Sequence, residues 1–438
     1  MHTGLVFSLF FAGLLCSVQQ HIPLLYPLLL GLVAFTVLAM RQGHSLRSLG
    51  SMMLAGSRKS LIVIKIFVLI GVITAVWRSA GTISTIVYYG IAWMPGDYFL
   101  PGAFLLCSLV SFLLGTSFGT AGTIGVVLMV LAQSGQMDIS MAAGAIIAGA
   151  YFGDRSSPMS SSANLVAVLT GTNLYDNLKN MFRSAWVPFF LSILAYVWLS
   201  QNHPLQFQAD SISQEIAATF NLSPLTLLPA LVILLLGACR TDVKLAMGVS
   251  ILLGVFLSVW VQQVSIAQLL QYILWGYTSE HTGFFAGIIQ GGGLFSMLNV
   301  ALIVLISSAY AGIFAGTNLL QPFESALIKL SQRTSPFASL LLSSLGTAAF
   351  SCNQTLAILL THQLAHKAYA NSRLSASRLA LDLENSVVLL SVVIPWNIAG
   401  AVPAAALGAD ASFIPYAFYL FLVPFWWLLK TRKPTGLD

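Results

Sequence analysis

Charged side chains are nearly missing from this chain: Asp, Glu, Lys and Arg make up 7% of its 438 residues, against roughly a quarter in an ordinary soluble domain. That excludes a soluble globular protein and makes any ionisable residue inside an apolar run informative. Long polar stretches are missing too, and the longest candidate, Gln201–Asn221, is too short to build a core of its own. The four cysteines, Cys16, Cys107, Cys239 and Cys352, are scattered through apolar sequence. They lack metal-ligand spacing, so ordinary buried thiols are expected. The chain has no H-E-x-x-H and no Walker A sequence, and its glycines and serines lack a nucleophile-elbow G-x-S-x-G context, which argues against an intramembrane enzyme and against an ATP site. No cofactor is expected. The formal charge is +6, but the basic residues sit at the ends of apolar runs and form no patch, so nucleic acid is not an expected partner.

What stands in place of charge is hydrocarbon. Hydrophobic residues make up 57% of the chain, and apolar runs close to the length that crosses ~30 Å of bilayer recur from end to end. They include Ile22–Met40, Leu61–Trp77, Trp186–Leu199, Leu225–Ala238, Leu245–Val261, Leu294–Ile313, Ser375–Ile394 and Phe413–Leu429. They predict an all-α integral membrane protein of about 11–13 spans, a single membrane domain over residues 1–438 surrounded by lipid in the cytoplasmic membrane, and compatible with an oligomer. The opening MHTGLVFSLFFAGLLCSV has no Lys or Arg before its apolar run and no small-x-small cleavage site, so it reads as a short first span rather than a removed signal peptide. Lys and Arg are retained on the cytoplasmic side. Arg41, Arg47, Arg58 and Lys59 crowd one loop, Lys367, Arg373 and Arg378 mark another connection, and Lys430, Arg432 and Lys433 crowd the C-terminal tail. Gln201–Asn221, with Asp210 and Glu215 but no Lys or Arg, fits a translocated loop and divides the chain near its midpoint.

The two parts on either side of that linker, residues 1–200 and 222–438, resemble each other. SAGT (Ser79–Thr82), LLGTSFGT (Leu113–Thr120) and GDRSSPMSSSAN (Gly153–Asn164) recur in order as FAGT (Phe314–Thr317), SLGTAAFS (Ser344–Ser351) and ENSVVLLSVVIPWN (Glu384–Asn397). Gly115 to Asp154 spans as many residues as Gly346 to Asn385, a register that sets Asp154 against Asn385. Such internal repeats are typical of transporters, commonly with inverted topology and discontinuous helices at the transport site.

Each half should then contain two interrupted helices. The first pair is GTSFGTAGTIG (Gly115–Gly125) and GTAAFSCNQT (Gly346–Thr355), where glycines loosen the helix and Thr116, Ser117, Thr120, Asn353 and Gln354 can satisfy freed backbone groups or bind an ion. The second pair surrounds Pro158 and Pro395, each of which removes an amide donor and clashes with the preceding turn. Oxygen atoms gathered around an unwound segment can replace the hydration shell of a small hard cation. Asp154 supplies charge there. Ser156, Ser157, Ser160, Ser161, Ser162 and Asn164 can supply neutral oxygens, with Na⁺ expected at Asp154, Ser157 and Asn164; Asn397 is the polar group beside Pro395. Some of these serines are equally expected only to pack helices or satisfy freed backbone groups.

GTSFGTAGTIGVVLM, YFGDRSSPMSSSANLVA, GGGLFSMLNVALIVL and LENSVVLLSVVIPWNIAG resemble the successive signatures of the NhaC-type sodium/proton antiporter family. The resemblance implies inverted repeats with re-entrant hairpins and electrochemically driven exchange of Na⁺ for H⁺. In some relatives it implies Na⁺- or H⁺-coupled movement of small carboxylates or amino acids. It also implies acidic residues at three places where this chain has Ser161, Asn353 and Asn385. Exchange on one site needs a group that binds Na⁺ as an anion and takes up a proton, which leaves Asp154, Asp382 and Glu384.

Asp382 and Glu384 cannot share one helical face, and the motif position favours Glu384 as the one facing a cavity. Arg155 is expected to pair with Asp154 or to hold the hairpin backbone, or, in a carboxylate transporter, to hold substrate. Lys65, a few residues beyond Arg58 and Lys59, is expected to snorkel. His281 and His362 read as interface histidines, and Trp396 as packing at the Pro395 break.

Overall fold

The computed structural model describes residues 3–431 apart from 21, 24, 94, 95, 206–208, 240, 280–283, 318, 320–334 and 373. His281, Arg373, Arg432 and Lys433 therefore lie outside the described residues. The rest is a bundle of helices. Among the described residues, four helical segments are long and apolar enough to cross a bilayer unaided: Gly96–Leu114, Ser117–Ser134, Leu174–Asn202 and Leu294–Phe314. Two more form only as bent pairs, Ile64–Ser79 with Thr82–Gly90 at 67° and Ile212–Thr219 with Pro224–Gly237 at 100°. Other apolar runs are covered by helices of 10–17 residues, because many of the helices are interrupted.

Two local expectations change. Arg47 and Arg58 are not in a loop; they lie on Leu46–Ser79, a helix of 34 residues. At 1.5 Å per residue that helix is about 51 Å long, well over the hydrocarbon thickness, so its early turns can stand clear of the bilayer. Lys65, on the same helix, is exposed, as snorkelling requires. Nor is Gln201–Asn221 merely a polar loop. It contains the helix Ala209–Thr219, whose Ile212 and Ile216 are buried in the core.

The chain path shows how the halves are arranged. Phe99–Leu114 and Ser117–Ser134 form a hairpin that returns to its own side: Leu205 N donates to Gly96 O at one end (3.3 Å), and a side chain on Gly135 at the other would meet Leu205. Ile139–Ser156 and Ser161–Thr170 then form a broken span. Leu174–Asn202, 29 residues long, brings the chain back toward Leu205, so the broken span makes a net crossing and the hairpin makes none.

In the second half, Pro336–Ser351 and Gln354–Asn371 form the corresponding hairpin, and Ala376–Glu384, Val387–Leu390 and Ile398–Ala406 the corresponding broken span. This span runs the opposite way. Its far end emerges at Ser412, whose Oγ lies 2.6 Å from Ser140 Oγ at the start of the first broken span. Its near end, Ser375 to Arg378, shares a recess with Asn180, Arg183 and Lys430. That basic end is opposite the Leu205 end.

The register of the repeat differs from the one the glycine motifs suggest. Phe99–Leu114 recurs as Pro336–Ser351 and Ser117–Ser134 as Gln354–Asn371; 336 − 99 and 371 − 134 are both 237. At this offset Pro158 falls on Pro395 and Gly115 on Cys352. Both of the latter adopt left-handed backbone, with φ of 67° and 51°. The next residues, Thr116 and Asn353, both cap the returning helix, accepting from Gly119 N (3.4 Å) and Leu356 N (3.3 Å). Ser160 and Asn397 likewise cap the helix after each proline, accepting from Ala163 N (3.2 Å) and Ala399 N (3.0 Å).

Gly346, by contrast, lies inside Pro336–Ser351. Glycine also serves helix packing, so it is an ambiguous marker; the left-handed residue followed by a cap is what defines the interruption. Asp154 therefore corresponds to Ser391, not to Asn385, and Glu384 corresponds to Ile147.

Candidate functional site

Asp154 reaches the first interruption because its helix packs closely against the hairpin through two glycines. A Cβ on Gly149 would meet Cys107 and the backbone of Phe104 and Ser108, and one on Gly153 would meet Ser111 and Phe112. That close approach places Asp154, 5% exposed, beside the hairpin turn, where Ser117 Oγ lies 3.4 Å from Asp154 Oδ2. The helix ends at Ser157, whose backbone is extended, and Pro158 cannot continue it. The chain then folds back so that Ser162 Oγ donates to Asp154 O (3.0 Å) and sits 2.8 Å from Ser160 Oγ. Ser117, Ser160, Ser162 and both the carboxylate and carbonyl of Asp154 thus collect in one buried place, from two interruptions. Tyr151, one turn earlier, interacts with Asp154 and Ser117 and donates to Ala399 O of the second half at 2.6 Å.

Several expected ligands instead hold the interruptions in shape. Asn164 is exposed, and its Nδ2 donates to Ser160 O (2.7 Å) and Pro158 O (3.2 Å). Ser157 Oγ accepts from Met159 N (3.1 Å), and Ser161 is exposed. Thr120 Oγ1 donates to Thr116 O (2.8 Å). In the second half, Gln354 Nε2 donates to Val388 O (2.8 Å) and Asn397 Nδ2 to Ala348 O (2.8 Å). Trp396 packs the Pro395 break and donates to Ala349 O (2.9 Å). Freed backbone groups at membrane depth must be satisfied by something, and these side chains satisfy them.

The second interruption brings Glu384 and Asn385 to Arg155. Arg155, fully buried, forms no ion pair with Asp154. Its Nε donates to Glu384 O (3.2 Å) and its Nη atoms to Ser184 Oγ (3.0 Å), Tyr419 OH (3.3 Å), Met181 O (3.4 Å) and Asn385 Oδ1. Neither sequence expectation for its local role describes these contacts: its backbone acceptors are Glu384 O in the second broken span and Met181 O in Leu174–Asn202. Ser184, Met181 and Tyr419 come from distant helices, and no local motif marks them as its partners.

Glu384 is 0% exposed. Both of its carboxylate oxygens, and Asn385 Nδ2, are buried without a hydrogen-bond partner. Arg155 and Asp154 both act on it electrostatically. Asp382, two residues earlier and equally buried, is fully engaged: it pairs with Arg378 Nε (3.1 Å) and accepts from Tyr369 OH (2.7 Å) and Trp427 Nε1 (2.5 Å). Asp382 therefore ties helices together, whereas Glu384 remains available to an ion.

With both carboxylates ionised, Asp154, Glu384 and Arg155 sum to one uncompensated negative charge, which is costly in a buried place unless a monovalent cation or a proton joins it. A sequence model of the Na⁺/H⁺ antiporter family matches residues 149–429, the stretch that contains all three.

The chain belongs to the Na⁺/H⁺ antiporter family. The antiporter is 32% identical to the Na⁺/H⁺ antiporter NhaC of Alkalihalophilus pseudofirmus over 94% of this chain and 90% of that protein. It is 27% identical to NhaC of Bacillus subtilis over 94% and 91% of the respective chains. It is also 24% identical to the malate-2H⁺/Na⁺-lactate antiporter of Bacillus subtilis, over 88% and 84%. These relatives are transporters, and the antiporter, like them, is a multi-pass protein of the cytoplasmic membrane.

Proposed function

We propose that this antiporter exchanges Na⁺ for H⁺ at a single buried site between its two halves, with Na⁺ held by Asp154, Ser117, Ser160 and Ser162, and with Glu384 as the second carboxylate in the competition. The observation that carries the reading is the charge count: two buried carboxylates and one guanidinium leave room for one positive charge, which either ion supplies. Hard oxygen ligands suit Na⁺, and a proton on the same acids makes occupancy by the two ions mutually exclusive. Oppositely directed halves with facing interruptions suit alternating access, in which one half rocks against the other around the site. No cofactor enters the cycle; Na⁺ and H⁺ are the coupling ions.

Everted membrane vesicles that have built a pH gradient by respiration test this. Addition of Na⁺, with no organic solute present, should collapse the gradient with the intact protein and fail to do so with Asp154→Asn. A requirement for an added carboxylate or amino acid would overturn the reading in favour of solute exchange.

A further inference from the structure

A cavity of about 690 Å³ lies at the Leu205 end, bounded by the end of the helix Leu46–Ser79, the end of the first hairpin and the end of the second broken span. Among the described residues, its walls carry one cation, Arg78, together with the glutamines Gln133, Gln136 and Gln290 and an apolar surface that includes Met129 and Met297. Arg78 breaks the pattern of the other basic residues. Arg183, Arg378 and Lys430 cluster at the opposite end, as retention of Lys and Arg on one side requires. Arg78 stands in the last turn of its helix and is only 9% exposed. Its Nη1 donates to Thr74 O (3.1 Å), while its Nε is buried without a partner.

Among the described residues no Asp or Glu lines the cavity. Asp138, adjacent in sequence to the lining residues Met137 and Ile139, is occupied in capping, accepting from Ser140 N (2.8 Å) and Met141 N (3.1 Å). Gln133 on the same wall is half-buried, and Gln136 and Gln290 are exposed to the cavity mouth. A cation at a helix C-terminus gains something from the helix dipole, but that offsets only part of the cost of burying a guanidinium. A cavity meant only to admit Na⁺ would gain nothing from a buried guanidinium on its wall.

We propose that this cavity is a binding site for a small organic carboxylate, with the carboxylate on Arg78 and the glutamine amides and an apolar body against Met129 and Met297. A planar guanidinium matches a carboxylate in shape as well as charge, and a mostly apolar wall with a few polar groups is the usual make-up of a small-molecule site. The site is distinct from the Asp154 site, so antiport and carboxylate binding can fail independently.

The test is equilibrium titration of the full-length protein in nanodiscs with benzoate, its neutral isostere benzamide, chloride and phosphate. Saturable benzoate binding is expected, at least tenfold tighter than benzamide. It should weaken at least tenfold in Arg78→Gln, less in Arg78→Lys, and several-fold in Gln290→Leu and Gln133→Leu, while Na⁺-driven proton movement by Arg78→Gln persists. If Arg78→Gln does not fold, the two glutamine variants must selectively weaken benzoate for the proposal to stand. Equal binding of benzamide, no saturable benzoate binding, benzoate affinity unchanged in Arg78→Gln or in both glutamine variants, or competitive displacement of benzoate by millimolar chloride or phosphate would each overturn it, the last by marking an inorganic anion site.

Discussion

The two halves of this antiporter use one backbone plan for two chemically different interruptions. Gly115 and Cys352 turn the hairpins, Thr116 and Asn353 cap them, and Pro158 and Pro395 stop the crossing helices at equivalent positions. The charged groups do not follow the repeat. Asp154 and Arg155 correspond to Ser391 and Val392, and Glu384 corresponds to Ile147. The first interruption surrounds its acid with hydroxyls, whereas the second leaves its acid unpartnered. Backbone symmetry can serve alternating access by giving the two directions similar conformations, while ion binding needs a single asymmetric site. Duplication supplies the first requirement, and in the proposed exchange the unequal placement of three charges supplies the second.

The sharpest way to break this comparison is to remove the acid of the first half. Asp154→Asn keeps the volume and removes the charge, so Na⁺-induced proton movement in everted vesicles should fall by about 100-fold or more, equivalent to ~2.7 kcal/mol or more of lost ion binding. Expression and the thermal unfolding midpoint should be little changed. Full Na⁺-dependent activity in this variant would remove Asp154 from the mechanism.

The second half allows an internal control between neighbours. Glu384→Gln should lose most transport yet fold at least as well as the parent, because it removes a buried charge that has no hydrogen bond. Asp382→Ala should do the reverse in kind, lowering stability by about 3–5 kcal/mol through loss of a buried pair and leaving Arg378, Tyr369 and Trp427 without their acceptor. Thermal unfolding and vesicle flux, measured on both variants, separate the roles. Equal effects of the two on unfolding would mean that Glu384 is structural as well.

The sequence makes some of this plain and conceals the rest for identifiable reasons. An all-α membrane fold follows from scarce charge and recurring apolar runs, and the interruptions at Pro158 and Pro395 follow from what proline does to a helix. Asp154 stands out as a carboxylate where burial is costly. What residue type does not reveal is whether a Ser or Asn near a break binds an ion or caps the backbone, since both tasks need the same oxygen or amide. Asn164 and Ser162 have similar chemistry and lie two residues apart, yet one closes the Pro158 turn and the other bonds to Asp154 O. The partners of Arg155 are also hidden, because Ser184 and Asn385 come from elsewhere in the chain.

That distinction between ligand and cap yields a smaller effect. Ser117→Ala and Ser162→Ala should each raise the Na⁺ concentration for half-maximal activity about three- to tenfold, or ~0.7–1.4 kcal/mol for one neutral ligand. Asn164→Ala should leave that concentration nearly unchanged and lower stability by about 1 kcal/mol for its lost bonds to the turn. Titration of flux with Na⁺ decides between them, and a larger shift for Asn164→Ala than for Ser117→Ala would reverse the assignment.

The smallest expected effect tests the register of the repeat itself. Cys352 holds a left-handed backbone, φ 51°, that costs a residue with a Cβ about 1–2 kcal/mol relative to glycine. It also buries its side chain completely and accepts a contact from Tyr310 OH at 2.8 Å. Cys352→Gly relieves the first cost and loses the second benefit, so the net change should be within about 1 kcal/mol, with transport retained. The equivalent first-half position should respond differently: a Cβ at Gly115 would lie 2.5 Å from the carbonyl carbon of Met159 and 2.8 Å from its oxygen, so Gly115→Ala must displace the Pro158 interruption and should destabilise the protein clearly. The same glycine is thus acceptable at one member of the pair and indispensable at the other, because the second half has opened enough room at its hairpin turn for a side chain. Unfolding midpoints for Cys352→Gly and Gly115→Ala measure that difference, and a severe loss in Cys352→Gly would show that the turn there depends on the thiol rather than on the backbone shared with Gly115.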